Sequence, residues 1–199
     1  MSKAFLKILA AASALSLVAA CTNGGEPGKP NPVTSDGPTS GTSSAAKELP
    51  KRPAELKLDG VDACKLLTPA QMSEIKILEG QSYEFNSPSL GKQPGCSYTK
   101  GTKYAYSIIL VKDKGVPFWL TGSGNVDVKV VTVAGYGAAQ LTLTGAEGVD
   151  CSVTVDVADG QQLEVGYDPV TEKGVSQDQM CANAAKAAEF AVATLKTLK

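Results

Sequence analysis

The sequence predicts an α+β domain: a twisted antiparallel sheet of about five to seven strands, packed on one face by an N-terminal helical segment and a long C-terminal helix, and stapled by disulfides. Three observations predict it. Apolar residues alternate with period two through the middle of the chain, from Lys103 to Tyr167. Helical signals fall at the two ends of the domain, not between strands as parallel βαβ units require. Four cysteines, Cys64, Cys96, Cys151 and Cys181, are spread over those segments, and the chain has no histidine.

The chain opens with a segment outside that domain. Met1–Lys7 carries two lysines, Ile8–Ala20 is apolar and uncharged, and the run ends in Val18-Ala19-Ala20. It is too short for a permanent membrane helix, so residues 1–20 read as a signal peptide. A plain secretory signal has no need of Cys21. Val18-Ala19-Ala20-Cys21 resembles the bacterial lipobox. The resemblance implies cleavage between Ala20 and Cys21 and a diacylglycerol on the Cys21 sulfur. Buried methylenes then contribute about 0.8 kcal/mol each, and two or three acyl chains make such an anchor stable.

From Thr22 to Ser44, 19 of 23 residues are Gly, Pro, Ser, Thr or Asn, and Val33 is the one large apolar residue. That composition cannot bury enough surface to offset its ordering entropy, so residues 21–55 read as the lipidated cysteine and a disordered tether. Such a tether has a root-mean-square reach of roughly 30 Å and a taut reach of about 110 Å. Residues 56–199 are left as a single globular domain.

Within it, Thr68-Pro69-Ala70-Gln71 reads as an N-cap, a proline at the first helical position and a capping-box glutamine. The spacing predicts a helix from Pro69 to about Ile77, with a turn around Asp62–Leu67 before it. Next, Tyr104, Tyr106, Ile108 and Leu110 share one face of a strand over Lys103–Lys112. Asp113-Lys114-Gly115 is a turn after which Val116–Leu120 is expected to fold back. After the break at Thr121–Asn125, Val126, Val128 and Val130 alternate with Asp127 and Lys129. Strands over Ala139–Thr144, Ser152–Val157 and Gln161–Tyr167 follow, the last two joined at Asp159-Gly160, and together they suggest a meander. Ser176 and Gln179 read as a second capping box. Gln177–Leu198 lacks Gly and Pro, and Met180, Ala184, Ala187, Ala188, Ala191, Leu195 and Leu198 form a stripe at helical spacing.

An even number of cysteines in an exported domain implies disulfides, and four allow three connectivities. Cys64–Cys96 with Cys151–Cys181 is favoured. Cys151 shares a strand face with Val153, Val155 and Val157. Cys181 shares a helix face with Ala184, Ala188, Val192 and Leu195, so both sulfurs should point into one helix–sheet interface. Zinc would want Cys-x-x-Cys pairs or histidines. Neither is present, and no metal or cofactor is expected. Gly95-Cys96-Ser97-Tyr98-Thr99 echoes loosely in Asp150-Cys151-Ser152-Val153-Thr154, as a duplicated helix–strand clamp would.

Several chemical motifs fail on context. Ser44-Ala45-Ala46-Lys47 and Ser73-Glu74-Ile75-Lys76 match Ser-x-x-Lys, but no Lys-Thr-Gly accompanies them. Gly122-Ser123-Gly124 lacks the rest of a dinucleotide fingerprint. Asp150, Asp156 and Asp159 lack calcium-loop spacing and read as the solvated face of a strand. The segment that invites a binding role is Val116-Pro117-Phe118-Trp119-Leu120. Phe118 and Trp119, with Tyr104 and Tyr106 from a neighbouring strand, could line an apolar pocket; the competing reading puts them in the core.

The lipobox, the tether, Asp62-Ala63-Cys64-Lys65-Leu66-Leu67-Thr68 before a helix, Pro94-Gly95-Cys96-Ser97-Tyr98 opening a strand, and Cys181-Ala182 in an alanine-rich helix together resemble a family of uncharacterised actinobacterial lipoproteins, domain of unknown function 3558. Members often carry Asp-Pro-Cys where this chain has Asp62-Ala63-Cys64. The resemblance implies a lipid-anchored place on the extracytoplasmic face of the plasma membrane and supplies no reaction. More distantly, the layout resembles the extracytoplasmic sensor domains of actinobacterial receptor kinases.

Formal charge is −1, and loss of a leader carrying Lys3 and Lys7 but no acid makes it −3. With no basic excess to neutralise phosphates, no nucleic-acid partner is expected. The expected function is a non-catalytic binding or sensing module. It would engage a weakly polar or uncharged small ligand, an envelope glycan or lipid, or a membrane-protein partner through Phe118, Trp119 and the Gly122–Asn125 loop. The alternative is a structural envelope lipoprotein with no discrete ligand. An enzyme working with carboxylates alone, as some glycosidases do, would need two of them convergent in a cleft.

Overall fold

The computed structural model describes residues 48–122 and 125–198. The predicted signal peptide, the predicted Ala20–Cys21 cleavage and Cys21 lipidation, the predicted tether up to residue 47 and positions 123–124 of the glycine-rich loop lie outside them.

A 3-10 turn over Ala63–Lys65 follows Asp62, whose carboxylate accepts from the Cys64 amide at 2.9 Å. Helix α1, Pro69–Glu74, begins at Thr68, and the capping box closes in both directions. The helix stops short of the predicted Ile77. Lys76 takes a left-handed φ of 58°, and the Ile77 amide folds back to the Met72 carbonyl at 3.0 Å, which buries Ile77.

Three strands follow: β1 (Gln81–Ser87), β2 (Gly91–Thr99) and β3 (Ala105–Val111). The sequence gives no sign of β1, which is polar and poor in aliphatics. Pro94 lies inside β2. Strand β3 pairs with β2 only from Gly95 onward, so Pro94 has a neighbour on one side alone, where a missing N–H is tolerated.

Val116–Leu120 does not fold back as a strand. It forms one helical turn, α2 (Pro117–Leu120), closed by amide–carbonyl bonds from Phe118 to Gly115 and from Trp119 to Val116 at 3.1 and 3.0 Å. Proline has no N–H for a ladder, and its fixed φ suits the first turn of a helix. Strands β4 (Val126–Val133), β5 (Tyr136–Leu143), β6 (Cys151–Ala158) and β7 (Gln161–Asp168) precede helix α3 (Gln177–Thr197).

The seven strands are antiparallel in the order β1-β2-β3-β7-β6-β5-β4. This is two meanders joined at a β3–β7 seam, not one continuous meander. Strands β2 and β6 hold equivalent places, one strand out from the seam on either side. The pentapeptide echo therefore has a structural counterpart.

One face of the sheet carries the larger core. Helix α3 packs on β6 and β7, and Ala184, Ala187, Ala188 and Ala191 are fully buried there, small enough to let the helix sit close. The Ser176 hydroxyl caps the helix by accepting from the Gln179 amide at 3.2 Å. Gln179 does not return the bond. Its amide donates to Asn183 Oδ1 at 3.0 Å, so half of the predicted capping box forms. Helix α1 is tied to α3 through Gln71, which accepts from Thr194 and donates to the Phe190 carbonyl. Disulfides link Cys64 to Cys96 and Cys151 to Cys181, the favoured pairing.

The opposite face holds a second core: Leu90, Ile109, Val111, Val116, Trp119, Ala139 and Leu141. Leu49 packs against it, and Arg52 pairs with Asp156 at 3.0 Å and with Asp159. The end of the segment assigned to the tether thus docks on the domain. Asp156, expected on a solvated face, is largely covered under that guanidinium; alternation alone could not reveal that a second layer lies over this side of the sheet.

Candidate functional site

Helix α2 covers one end of the second face. The other end borders a cavity of about 470 Å³. Its floor is a cross-strand row of small residues: Ser97 on β2 faces Ser107 on β3, which faces Gly166 on β7, which faces Ser152 on β6. Glycine at 166 keeps this floor open. A Cβ there would lie 2.6 Å from Ser107 Oγ and 3.3 Å from Ser152 Oγ. Tyr83 and Phe85 on β1 form one wall. Tyr83 faces Gly95 across the strand pair, and a Cβ at Gly95 would meet the Tyr83 ring at 2.9 Å. The ring can lie across β2 because glycine leaves room for it, and the phenol borders the cleft together with Ser107.

The opposite wall is acidic. Glu164 stands on β7 two residues from Gly166, so both side-chain positions fall on this face. Asp150 precedes β6, and Asp168 ends β7. Glu164 is only 8% exposed, and its Oε2 is buried with no hydrogen-bond partner in the protein. Burial, then the Asp150 charge, pushes its carboxyl up to about 7. Burial, then Asp168, raises Asp150; burial, then the Glu164 charge, raises the Tyr83 phenol. A smaller recess of about 150 Å³ shares Asp150, Ser152 and Glu164 and runs to Trp119, Leu141 and Leu143. Among the described residues neither cavity has a basic side chain in its lining. Gln162, two residues before Glu164, accepts from Trp119 Nε1 at 3.1 Å and from the Thr154 hydroxyl, and its own Nε2 is buried without a partner. The arrangement can receive hydrogen-bond donors and positive charge, and it repels anions.

The structure does not bring the four predicted aromatic residues together. Trp119 is 7% exposed, anchored through its indole N–H, and edge-on to Phe118 at 5.0 Å. Tyr104 and Tyr106 pack on the helix side with Tyr167, and the Tyr104 hydroxyl donates to the Ile75 and Lys76 carbonyls. They pack in the core on the other face of the sheet from Phe118 and Trp119, although Tyr106 also borders the cleft. Asp150, expected on a solvated strand face, is half-buried at the cleft. Sequence reasoning missed Glu164, Gly166, Tyr83 and the three serines. The one available signal was Gln162 and Glu164 alternating with Leu163 and Val165, a pattern that also describes a strand with one wet face.

Among the described residues no group of three or more His, Cys, Asp and Glu side chains is placed to hold a metal ion, and no helix is long and apolar enough to cross a membrane. Residues 16–194 match a family described as "Protein of unknown function (DUF3558)". The chain belongs to this family. No curated protein and no solved structure matched it. For this DUF3558 protein the family brings no reaction, so chemistry must be argued from the cleft.

Proposed function

We propose that this DUF3558 protein is a lipid-anchored, extracytoplasmic, non-catalytic binding module of the actinobacterial envelope, and that the serine-floored cleft is its ligand site. The observation that carries the binding reading is Glu164: a carboxylate buried against a cavity with one oxygen unpartnered. An unmet buried polar group costs about 1–3 kcal/mol, more when charged, and a ligand that meets it offsets the cost. Anchoring rests on Val18-Ala19-Ala20-Cys21 and the segment after it. Two disulfides suit an oxidising compartment. An anchor and tether also raise the local concentration of membrane-held partners, so a modest site can stay occupied.

Cys21→Ala should abolish palmitate labelling and move the protein from the membrane fraction to the medium, or leave it unprocessed. Equal labelling and retention would end the lipobox reading. Envelope glycan and lipid fractions titrated against the protein should change Trp119 fluorescence, because the indole is coupled to β7 through Gln162. Silence would favour the structural lipoprotein.

A second reading has one observation in its favour. Asp150 and Glu164 face one cleft, and burial raises Glu164 to about 7, as the general acid of a glycoside-hydrolase carboxylate pair is raised. Release of reducing sugar from envelope glycan, lost in Asp150→Asn, would establish it in place of the non-catalytic one.

A further inference from the structure

The ligand chemistry follows from what the cleft lacks as well as what it holds. Among the described residues its lining carries three carboxylates, Asp150, Glu164 and Asp168, three serine hydroxyls and four aromatic residues, Tyr83, Phe85, Tyr106 and Tyr167, with no lysine or arginine. A phosphate or carboxylate ligand would meet like charge on one wall and nothing to neutralise it. A purely apolar ligand would leave Glu164 Oε2 unmet. A carbon skeleton bearing hydroxyls finds serine partners along the floor, and a cationic nitrogen finds carboxylates on one side and the ring faces of Tyr83 and Phe85 on the other. We propose that the cleft takes a hydroxylated primary amine, with its ammonium seated at Glu164 and Asp150 and its hydroxyls on Ser97, Ser107 and Ser152. This rests on the binding reading above and names the chemical class of its ligand. It replaces the weakly polar or uncharged ligand that the chain's near-balanced charge suggests, because overall charge does not report the local sign of a cleft.

Binding an ammonium favours the ionised carboxylate, so a proton leaves Glu164 when the ligand arrives. The titratable groups facing Glu164 are Asp150 and the Tyr83 phenol, with Asp168 acting on Asp150. None of them supplies positive charge, so affinity should rise with pH through about 7, where Glu164 titrates. At pH 7 about half a proton should be released per site for an amine fully protonated there, such as ethanolamine, and less for glucosamine, whose more weakly basic amine takes up part of it.

The test uses the full-length mature chain in detergent and calorimetry in two buffers of different ionisation enthalpy. The probes are glucosamine, ethanolamine, glucose, N-acetylglucosamine and calcium. Glucosamine should bind at least tenfold more tightly than glucose or N-acetylglucosamine, which lack the free ammonium, with proton release at pH 7. Ethanolamine binding as tightly would place the source in a lipid headgroup; weaker binding would place it in an amino sugar. Either supports the ammonium. Glu164→Gln should abolish the preference and the proton release, and Asp150→Asn should reduce both. A melt of each variant without ligand separates this from a folding defect. Equal binding of N-acetylglucosamine, an unchanged Glu164→Gln isotherm, or calcium bound in place of amines would overturn the inference while leaving a binding module. Silence toward every probe and toward the envelope fractions would overturn both.

Discussion

Replacing Glu164 with glutamine should make the empty protein more stable at pH 8 and change it little at pH 5. Burial moves this carboxyl from 4.5 to about 7. A tenfold change in proton affinity is about 1.4 kcal/mol, so full ionisation costs the fold about 3 kcal/mol. The direction follows from where the proton sits. Below pH 4.5 the group is neutral in both states, and the cost is absent. Between 4.5 and about 7 the unfolded chain releases its proton while the native chain holds it, so the native state binds more protons and stability falls as pH rises. Above about 7 both states are ionised, and the loss levels off. Glutamine has nearly the same shape and does not titrate. Its buried amide adds a constant offset that cancels between two pH values. The gap between variant and wild type should therefore widen by about 2–3 kcal/mol from pH 5 to pH 8. Urea denaturation at both pH values, followed through the single tryptophan, measures it. Curves that stay parallel, with divergence under about 0.5 kcal/mol, would mean that Glu164 is solvated or paired in solution and would remove the main support for the cleft.

Other consequences can be measured on the same protein. Cys151→Ser with Cys181→Ser opens a loop of 30 residues and should cost about 3–4 kcal/mol in the chain-entropy model; peptide mapping without reductant should recover the Cys64–Cys96 and Cys151–Cys181 pairs, and a chelator should leave the melt unmoved. Gly166→Ala should lower the melting temperature and block the cleft, since its Cβ meets Ser107 Oγ at 2.6 Å; adding Ser107→Ala should restore much of the loss, and no recovery would place the strain elsewhere. Trp119→Ala empties the second core and frees Gln162, and should cost about 3–5 kcal/mol in urea titration; unchanged stability would mean that the indole is not buried against the sheet.

The sequence by itself determined the features that are local or paired by parity. Thr68-Pro69-Ala70-Gln71 sets a helix start through its own side chains, and the structure closes that box. The stripe from Met180 to Leu195 becomes the buried face of α3 because helical spacing brings those residues to one side, while Leu198, predicted to continue it, caps the helix and stays exposed. Cys151 and Cys181 could be paired because strand and helix periods each put them on an apolar face. Tertiary structure decided what depends on neighbours far along the chain. Pro117 turned an apolar pentapeptide into a helical connection, and that connection sent β4 to the far edge and left β7 in the centre of the sheet. Glu164 and Gln162 look like the wet side of an edge strand. They are buried because β3 and β6 flank β7 while Trp119 and Tyr83 close over its outer face. Ser97, Ser107, Gly166 and Ser152 come from four strands spread over 70 residues and meet only in the register of the ladder. Period two says which residues share a face. Which strands are neighbours, and so what that face can bind, is fixed by long-range pairing that the alternation does not encode.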